Sequence, residues 1–137
     1  MAMKFKLVKD DTLPEIQLWM VDETTGAPFD LSNPATAIRM YFRKVGETAL
    51  KETLTLVKLA GIVTAIDEDT GRQTVSTAPP YDVPGSGGRC AIQFTETTLD
   101  TAGQFQGEVE ITFADGGRLT WYEIIGFSIR DDFNEDA

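Results

Sequence analysis

The sequence predicts an all-β chain, folded as one antiparallel sandwich of about seven to eight strands. Three observations carry this expectation. Apolar residues recur at every second position through most of the chain, the runs are short, and Gly-, Pro- and Asp-containing turns separate them. A strand with one dry face and one wet face reads this way, and regularly spaced short strands favour a sandwich or barrel.

Each element follows in order. Phe5-Leu7 and Ile16-Leu18-Met20 alternate weakly and open the series. Asp22-Glu23-Thr24-Thr25-Gly26 suits a turn with Gly at positive φ. Ile38, Met40 and Phe42 alternate with Arg39, Tyr41 and Arg43, and a weaker pair, Leu54 and Leu56, comes next. Asp67-Glu68-Asp69-Thr70-Gly71 repeats the first turn almost word for word. Residues 76–88 hold Pro79, Pro80, Pro84, Gly85, Gly87 and Gly88, the longest irregular stretch, and loops of that length are usually functional or mobile.

Cys90, Ile92 and Phe94 then share one parity, with Ala91, Gln93 and Thr95 on the other. Thr97 to Ala102 fits one short turn of helix at most. Phe105, Gly107, Val109, Ile111 and Phe113 alternate with Gln104, Gln106, Glu108, Glu110 and Thr112. Ala114-Asp115-Gly116-Gly117 is the strongest hairpin signal, because Asp-Gly lies between two alternating runs. The last run, Arg118 to Arg130, breaks parity near Tyr122 to Gly126, which calls for a bulge or a switch between sheets. The acidic stretch 131–137 is expected to fray.

Bulk properties narrow the function. A length of 137 residues fits a single domain spanning 1–137. No stretch approaches the ~20 apolar residues of a membrane-spanning helix, and Met1 to Lys6 has no apolar signal-peptide core. The expectation is a chain made in a cytoplasm, with no membrane insertion. The net charge of −10 repels phosphate backbones and disfavours nucleic acid as a partner. Histidine is absent, which removes the commonest general base, the commonest zinc ligand and every Ser-His or Cys-His arrangement. Cys90 is the single cysteine, so no intrachain disulfide forms, and its apolar setting predicts a buried, inert thiol. No enzyme, cofactor or metal site is expected.

Asp67, Glu68 and Asp69 offer oxygen ligands for calcium but lack the spacing of the twelve-residue calcium loop, and read as an acidic hairpin tip. Asp10-Asp11 reads as a turn. Glu108 and Glu110 share a strand face ~7 Å apart, a separation open to glycoside hydrolysis but equally that of any solvated strand face. Gly85-Ser86-Gly87-Gly88 has no Lys-Ser/Thr after it and reads as a flexible loop rather than a phosphate cradle. Trp19 and Tyr41 fall at the polar parity of their strands, and Tyr81 sits in the long loop. These three are the candidates for contact with a partner or for stacking on a sugar. Trp121 follows core parity and reads as packing.

The order of these motifs resembles the N-terminal domain of phage baseplate upper proteins, an immunoglobulin-like module. The resemblance rests on Lys9-Asp10-Asp11-Thr12-Leu13-Pro14, on Val21 to Ser32 with its Pro28-Phe29-Asp30-Leu31-Ser32 ending, and on Ala37 to Arg43. It continues with Asp69-Thr70-Gly71 and with Thr101 to Gly116, similar to the family's Ala-Gly-aromatic-x-Gly-Glu-x-x-hydrophobic-Thr-Phe-x-Asp-Gly. The chain departs from the pattern in its long 76–88 loop and in Trp121-Tyr122-Glu123, where the family often has proline. The resemblance implies an immunoglobulin-like sandwich and a structural part of a phage or prophage tail, baseplate or fibre. It implies a place in the virion, contacts with other tail or baseplate proteins, and a homo-oligomer. The competing expectation is a carbohydrate-binding or adhesin-type sandwich that meets a host-surface glycan through exposed aromatics.

Overall fold

The computed structural model describes residues 3–133, so the last four residues of the acidic stretch lie outside the described residues. Eleven short strands form among them and no helix. These are β1 (Met3–Val8), β2 (Glu15–Trp19), β3 (Ala37–Lys44), β4 (Glu52–Thr55), β5 (Val57–Lys58), β6 (Ile62–Ile66), β7 (Gln73–Ser76), β8 (Arg89–Gln93), β9 (Gly103–Thr112), β10 (Arg118–Thr120) and β11 (Ile125–Arg130). The count exceeds seven or eight because the 62–76 segment folds as a hairpin of its own and the final run is split in two.

A six-stranded sheet has the order β1-β11-β9-β3-β4, with β10 also paired to β9, and a three-stranded sheet has the order β2-β8-β5. All pairings are antiparallel except that of β1 with β11. The two sheets enclose one core, to which Ile16, Leu18, Cys90 and Ile92 contribute from the small sheet and Ile38, Met40, Phe42, Val109 and Ile111 from the large one. Phe127 ties them together: its ring meets Phe42 at 5.4 Å, Phe5 at 6.1 Å and Phe94 at 6.2 Å. Phe42 also stacks on Phe105, 5.1 Å apart and 5° from parallel. Such ring pairs add to the transfer free energy of the area they bury.

The turns form for local reasons. In both acidic turns the leading Asp carboxylate accepts the backbone N–H two residues on (Thr24 and Asp69, each at 2.8 Å), and Gly26 and Gly71 close them at φ 74° and 72°. Gly116, at φ 91°, closes the β9–β10 hairpin, and Gly117 N–H donates to Asp115 Oδ1 at 2.8 Å. Thr97 to Ala102 makes turns and bends only, with Leu99 fully buried.

The parity break near Tyr122 is a bulge and not a change of sheet. Thr120 faces Glu110 and Ile125 faces Gly107, so five steps along the final run cover three steps of β9. The surplus throws Tyr122 and Ile124 outward, 93% and 38% exposed.

The 85–88 segment is not the flexible loop its composition predicts. Gly85, Gly87 and Gly88 are buried. Leu31 N–H donates to Gly85 O at 2.8 Å, Gly85 N–H to Leu59 O at 2.9 Å, and Met20 N–H to Gly88 O at 2.7 Å. A Cβ on Gly88 would lie 2.6 Å from Met20 O, so glycine is required by close backbone approach. Its glycines let a crossing segment lock against the sandwich.

Candidate functional site

Strand pleating fixes what the outer face of the large sheet presents. Because Ile38, Met40 and Phe42 point inward, Arg39, Tyr41 and Arg43 point outward; because Phe105, Val109 and Ile111 point inward, Gln106, Glu108 and Glu110 point outward. Side chains on this face hold one another. Tyr41 Oη donates to Glu110 Oε1 at 3.0 Å, Arg43 Nε donates to Gln106 Oε1 at 3.2 Å, and Gln104 Nε2 donates to Ser128 Oγ at 2.9 Å. Glu110 Oε2 lies 4.0 Å from Arg118 Nε. The Glu110 bond and its negative charge, with burial between them in weight, raise the Tyr41 phenol above its ordinary value.

Where the bulge turns Ile124 outward, it borders a shallow recess of about 90 Å³, lined by Tyr41, Arg43, Leu50, Gln106, Glu108 and Ile124. Leu50 is 51% exposed. The recess therefore has an apolar rim set in a charged sheet face.

A larger open cleft of about 300 Å³ lies between the Val21–Phe29 turn and β10. Phe29, Trp121 and Tyr122 give it aromatic surface, while Asp22, Glu23 and Thr120 supply polar groups. Phe29 bridges Trp121 and Phe113, with ring centroids 6.0 Å apart in each pair. Trp121 thus does pack against the core, as its parity predicts, but it also forms part of a cleft wall.

The candidate residues do not converge on one place. Trp19 belongs to the small sheet, is half-buried, and donates its indole N–H to Gly87 O at 3.1 Å. It meets Trp121 only as a fellow wall of a lateral cleft of about 230 Å³ beside the bulge. Tyr41 stands on the outer face of the large sheet. Tyr81 is half-buried in the long loop, where its backbone donates to Ala78 O at 2.9 Å and accepts from Gly61 N–H at 2.7 Å. Sequence reading missed Phe29, Tyr122 and Ile124; the parity break was the one signal that marked the last two.

Asp67 uses its carboxylate on the backbone N–H groups of Thr70 and Asp69, and these bonds hold it below the usual carboxylate range. No group of three or more His, Cys, Asp or Glu side chains suited to a metal ion occurs among the described residues. Glu108 is exposed, whereas Glu110 is engaged by Tyr41. Cys90 is fully buried, as expected, and burial pushes its thiol up to about 12. No helix among the described residues is long and apolar enough to cross a membrane. No protein-family model matches the chain, and no curated protein matches it.

Proposed function

We propose that this chain is a non-enzymatic structural and docking module of a phage or prophage tail, baseplate- or fibre-associated, that acts in the virion through protein–protein contacts. Its sandwich is read as immunoglobulin-like. The strand order supports this: β2-β8-β5 in one sheet faces a sheet in which β3, β9 and β11 are neighbours, the grouping that immunoglobulin-type sandwiches use. The motifs that resemble the baseplate family fall on the two acidic turns, on β3 and on the β9–β10 hairpin, where they determine strand connections.

The observation that carries the docking reading is the recess beside Tyr41. An exposed apolar rim of Leu50 and Ile124 surrounds it, and a sheet face stiffened by side-chain hydrogen bonds holds it. Preorganised faces lose little entropy on association. The test is capture of purified phage tail and baseplate proteins by this chain, read by co-elution with light scattering. The expected result is a complex formed by the wild type and weakened at least tenfold by Ile124→Asp. Failure to bind any of those tail proteins would refute the assignment.

A second reading, glycan binding, has its own support in the aromatic and acidic cleft of Phe29, Trp121, Tyr122, Asp22 and Glu23. Aromatic faces stack on sugar rings while carboxylates accept from hydroxyls. Trp19 is the weaker anchor, since Gly87 already holds its N–H. Saturable binding on a glycan array, abolished by Tyr122→Ala, would favour this reading over the first.

A further inference from the structure

The charge of this molecule is unevenly placed. The outward positions of the large sheet carry Lys4, Lys6, Arg39, Arg43, Arg118 and Arg130, half of the chain's 12 cations, yet only Glu108 and Glu110 of its 22 acids. Six cations against two carboxylates leave a basic face on a chain of net charge −10. Elsewhere acid predominates, and in one place it stands clear of the body. The β6–β7 hairpin packs at its base, where Gly61 and Val63 are buried, while residues 64–74 are all exposed. Its tip is Asp67-Glu68-Asp69, preceded by Ile66, an apolar side chain 52% exposed.

We infer that the basic face of the large sheet docks the β6–β7 hairpin of a second copy of this chain, with Ile66 entering the recess beside Tyr41 and the acidic tip meeting the surrounding arginines. The inference rests on the docking reading of that face and names its partner. Two arguments favour this occupant. The first is complementarity in both components: an apolar residue beside three acids fits an apolar rim beside Arg43, with Arg39 and Arg118 on the same sheet face. The second is symmetry. A two-fold contact centred on the basic face would set it against itself, and like charges brought together are repulsive, so the complement comes from a different part of the molecule. Such a contact closes as a reciprocal pair where a two-fold axis passes between face and hairpin, and otherwise propagates head to tail into rings or filaments. A polyanionic nucleic acid fits less well, because the acidic turns elsewhere on the chain repel a long phosphate backbone.

Sedimentation velocity across a concentration series tests this, first in low salt and then in about 1 M salt, where the screening length falls to about 3 Å. The wild type should associate in low salt and dissociate in high salt. A face variant, Arg43→Glu with Arg118→Glu, and a tip variant, Glu68→Lys with Asp69→Lys, should each be monomeric alone and associate when mixed, because each restores the other's complement. Asp67 is left intact so that the turn keeps its hydrogen bonds, and circular dichroism verifies the fold of both variants. Wild type that stays monomeric in low salt overturns the inference; so does association that survives both variants, or tighter binding of a labelled DNA duplex than of a second copy. If the wild type is monomeric yet the face variant loses its tail-protein partner, the second copy is excluded and the docking reading stands. If neither partner responds to the face variant, both fail.

Discussion

Tyr41 bonds diagonally across the β3–β9 ladder: Glu108 is the residue opposite it, but its phenol reaches Glu110 at 3.0 Å, the neighbour opposite Arg39. The bond fixes the ring beside the recess and consumes a carboxylate that Arg118 also approaches. Cross-strand diagonal contacts of this kind are within reach of aromatic side chains.

A phenol donates only while protonated, and an adjacent carboxylate opposes a second negative charge. Tyr41 should therefore be deprotonated above the ordinary tyrosine value of about 10. Because the folded value is raised, the pair's contribution to stability is complete below the unfolded value and is lost as pH rises through the folded one. NMR titration should show Tyr41 above the ordinary tyrosine value, with Glu110→Gln lowering it. An unaltered Tyr41 titration in that variant would show that the bond is not formed in solution.

Glu52 should show the opposite behaviour. Burial alone would raise its carboxyl, but hydrogen bonds from Thr98, Thr95 and Thr97 outweigh that and lower it. Thr95 Oγ1 donates to Glu52 Oε1 at 2.8 Å and Thr97 Oγ1 at 3.1 Å, joining the edge strand β4 to the turn before β9. A depressed value means stability that is present above the unfolded carboxylate range and lost as pH falls through the folded value. Glu52→Gln should flatten the acid limb of stability against pH, measured by urea unfolding between about pH 6 and pH 2.5. An identical acid limb would remove Glu52 from the account.

The two predictions differ in how much of them the sequence discloses. Alternation over Ile38 to Arg43 and Phe105 to Phe113 is enough to put Tyr41 and Glu110 on the same wet face, because a period of two dictates it. The bulge was also visible, as misplaced parity at Tyr122 to Ile124. The Glu52 network was not, since it joins residues more than 40 positions apart through a loop whose path no local pattern sets. The turn of the β6–β7 hairpin is legible in Asp67 to Gly71, but its two strands are not: they stand in solvent and need no dry face, so they carry no alternation. Alternation gives the parity of Trp19, but its partner Gly87 lies 68 residues away on a loop whose burial follows from tertiary contact alone.

Glycines of like φ should differ in consequence. Gly26 has φ 74° and open space around its missing Cβ, so Gly26→Ala should cost only the left-handed penalty, about 1 kcal/mol. Gly88 has φ 82° and a backbone oxygen, Met20 O, 2.6 Å from that Cβ, so the segment itself must shift. Gly88→Ala should cost roughly 3 kcal/mol or more, the left-handed penalty plus that of overpacking. Urea denaturation of the two variants side by side checks the order, and equal losses would mean that 85–88 yields freely.

Phe127 offers the most direct test of the shared core. Its ring contacts Phe5, Phe42 and Phe94, which come from both layers and from the first strand. Phe127→Ala should cost about 3–5 kcal/mol, against a total of about 5–15 kcal/mol for a typical domain. Thermal unfolding should therefore move sharply downward, or the variant should lose its cooperative transition. Leu13→Ala, at a side chain 93% exposed, should change stability by less than about 0.5 kcal/mol and serves as the control.

Cys90 reports on the same core without any substitution. Its side chain is fully buried opposite Leu18 on β2, and burial pushes the thiol up to about 12. Reaction with a disulfide reagent requires a thiolate and an open path, and the folded chain near pH 8 provides neither. Native protein should leave the reagent unconsumed over the time in which urea-unfolded protein releases one equivalent. In the native state labelling must wait for the sandwich to open, so its rate should rise with urea in step with the unfolding equilibrium. Rapid stoichiometric labelling without urea would place Cys90 outside the core, and the alternation of β8 would then have to be read with its faces reversed.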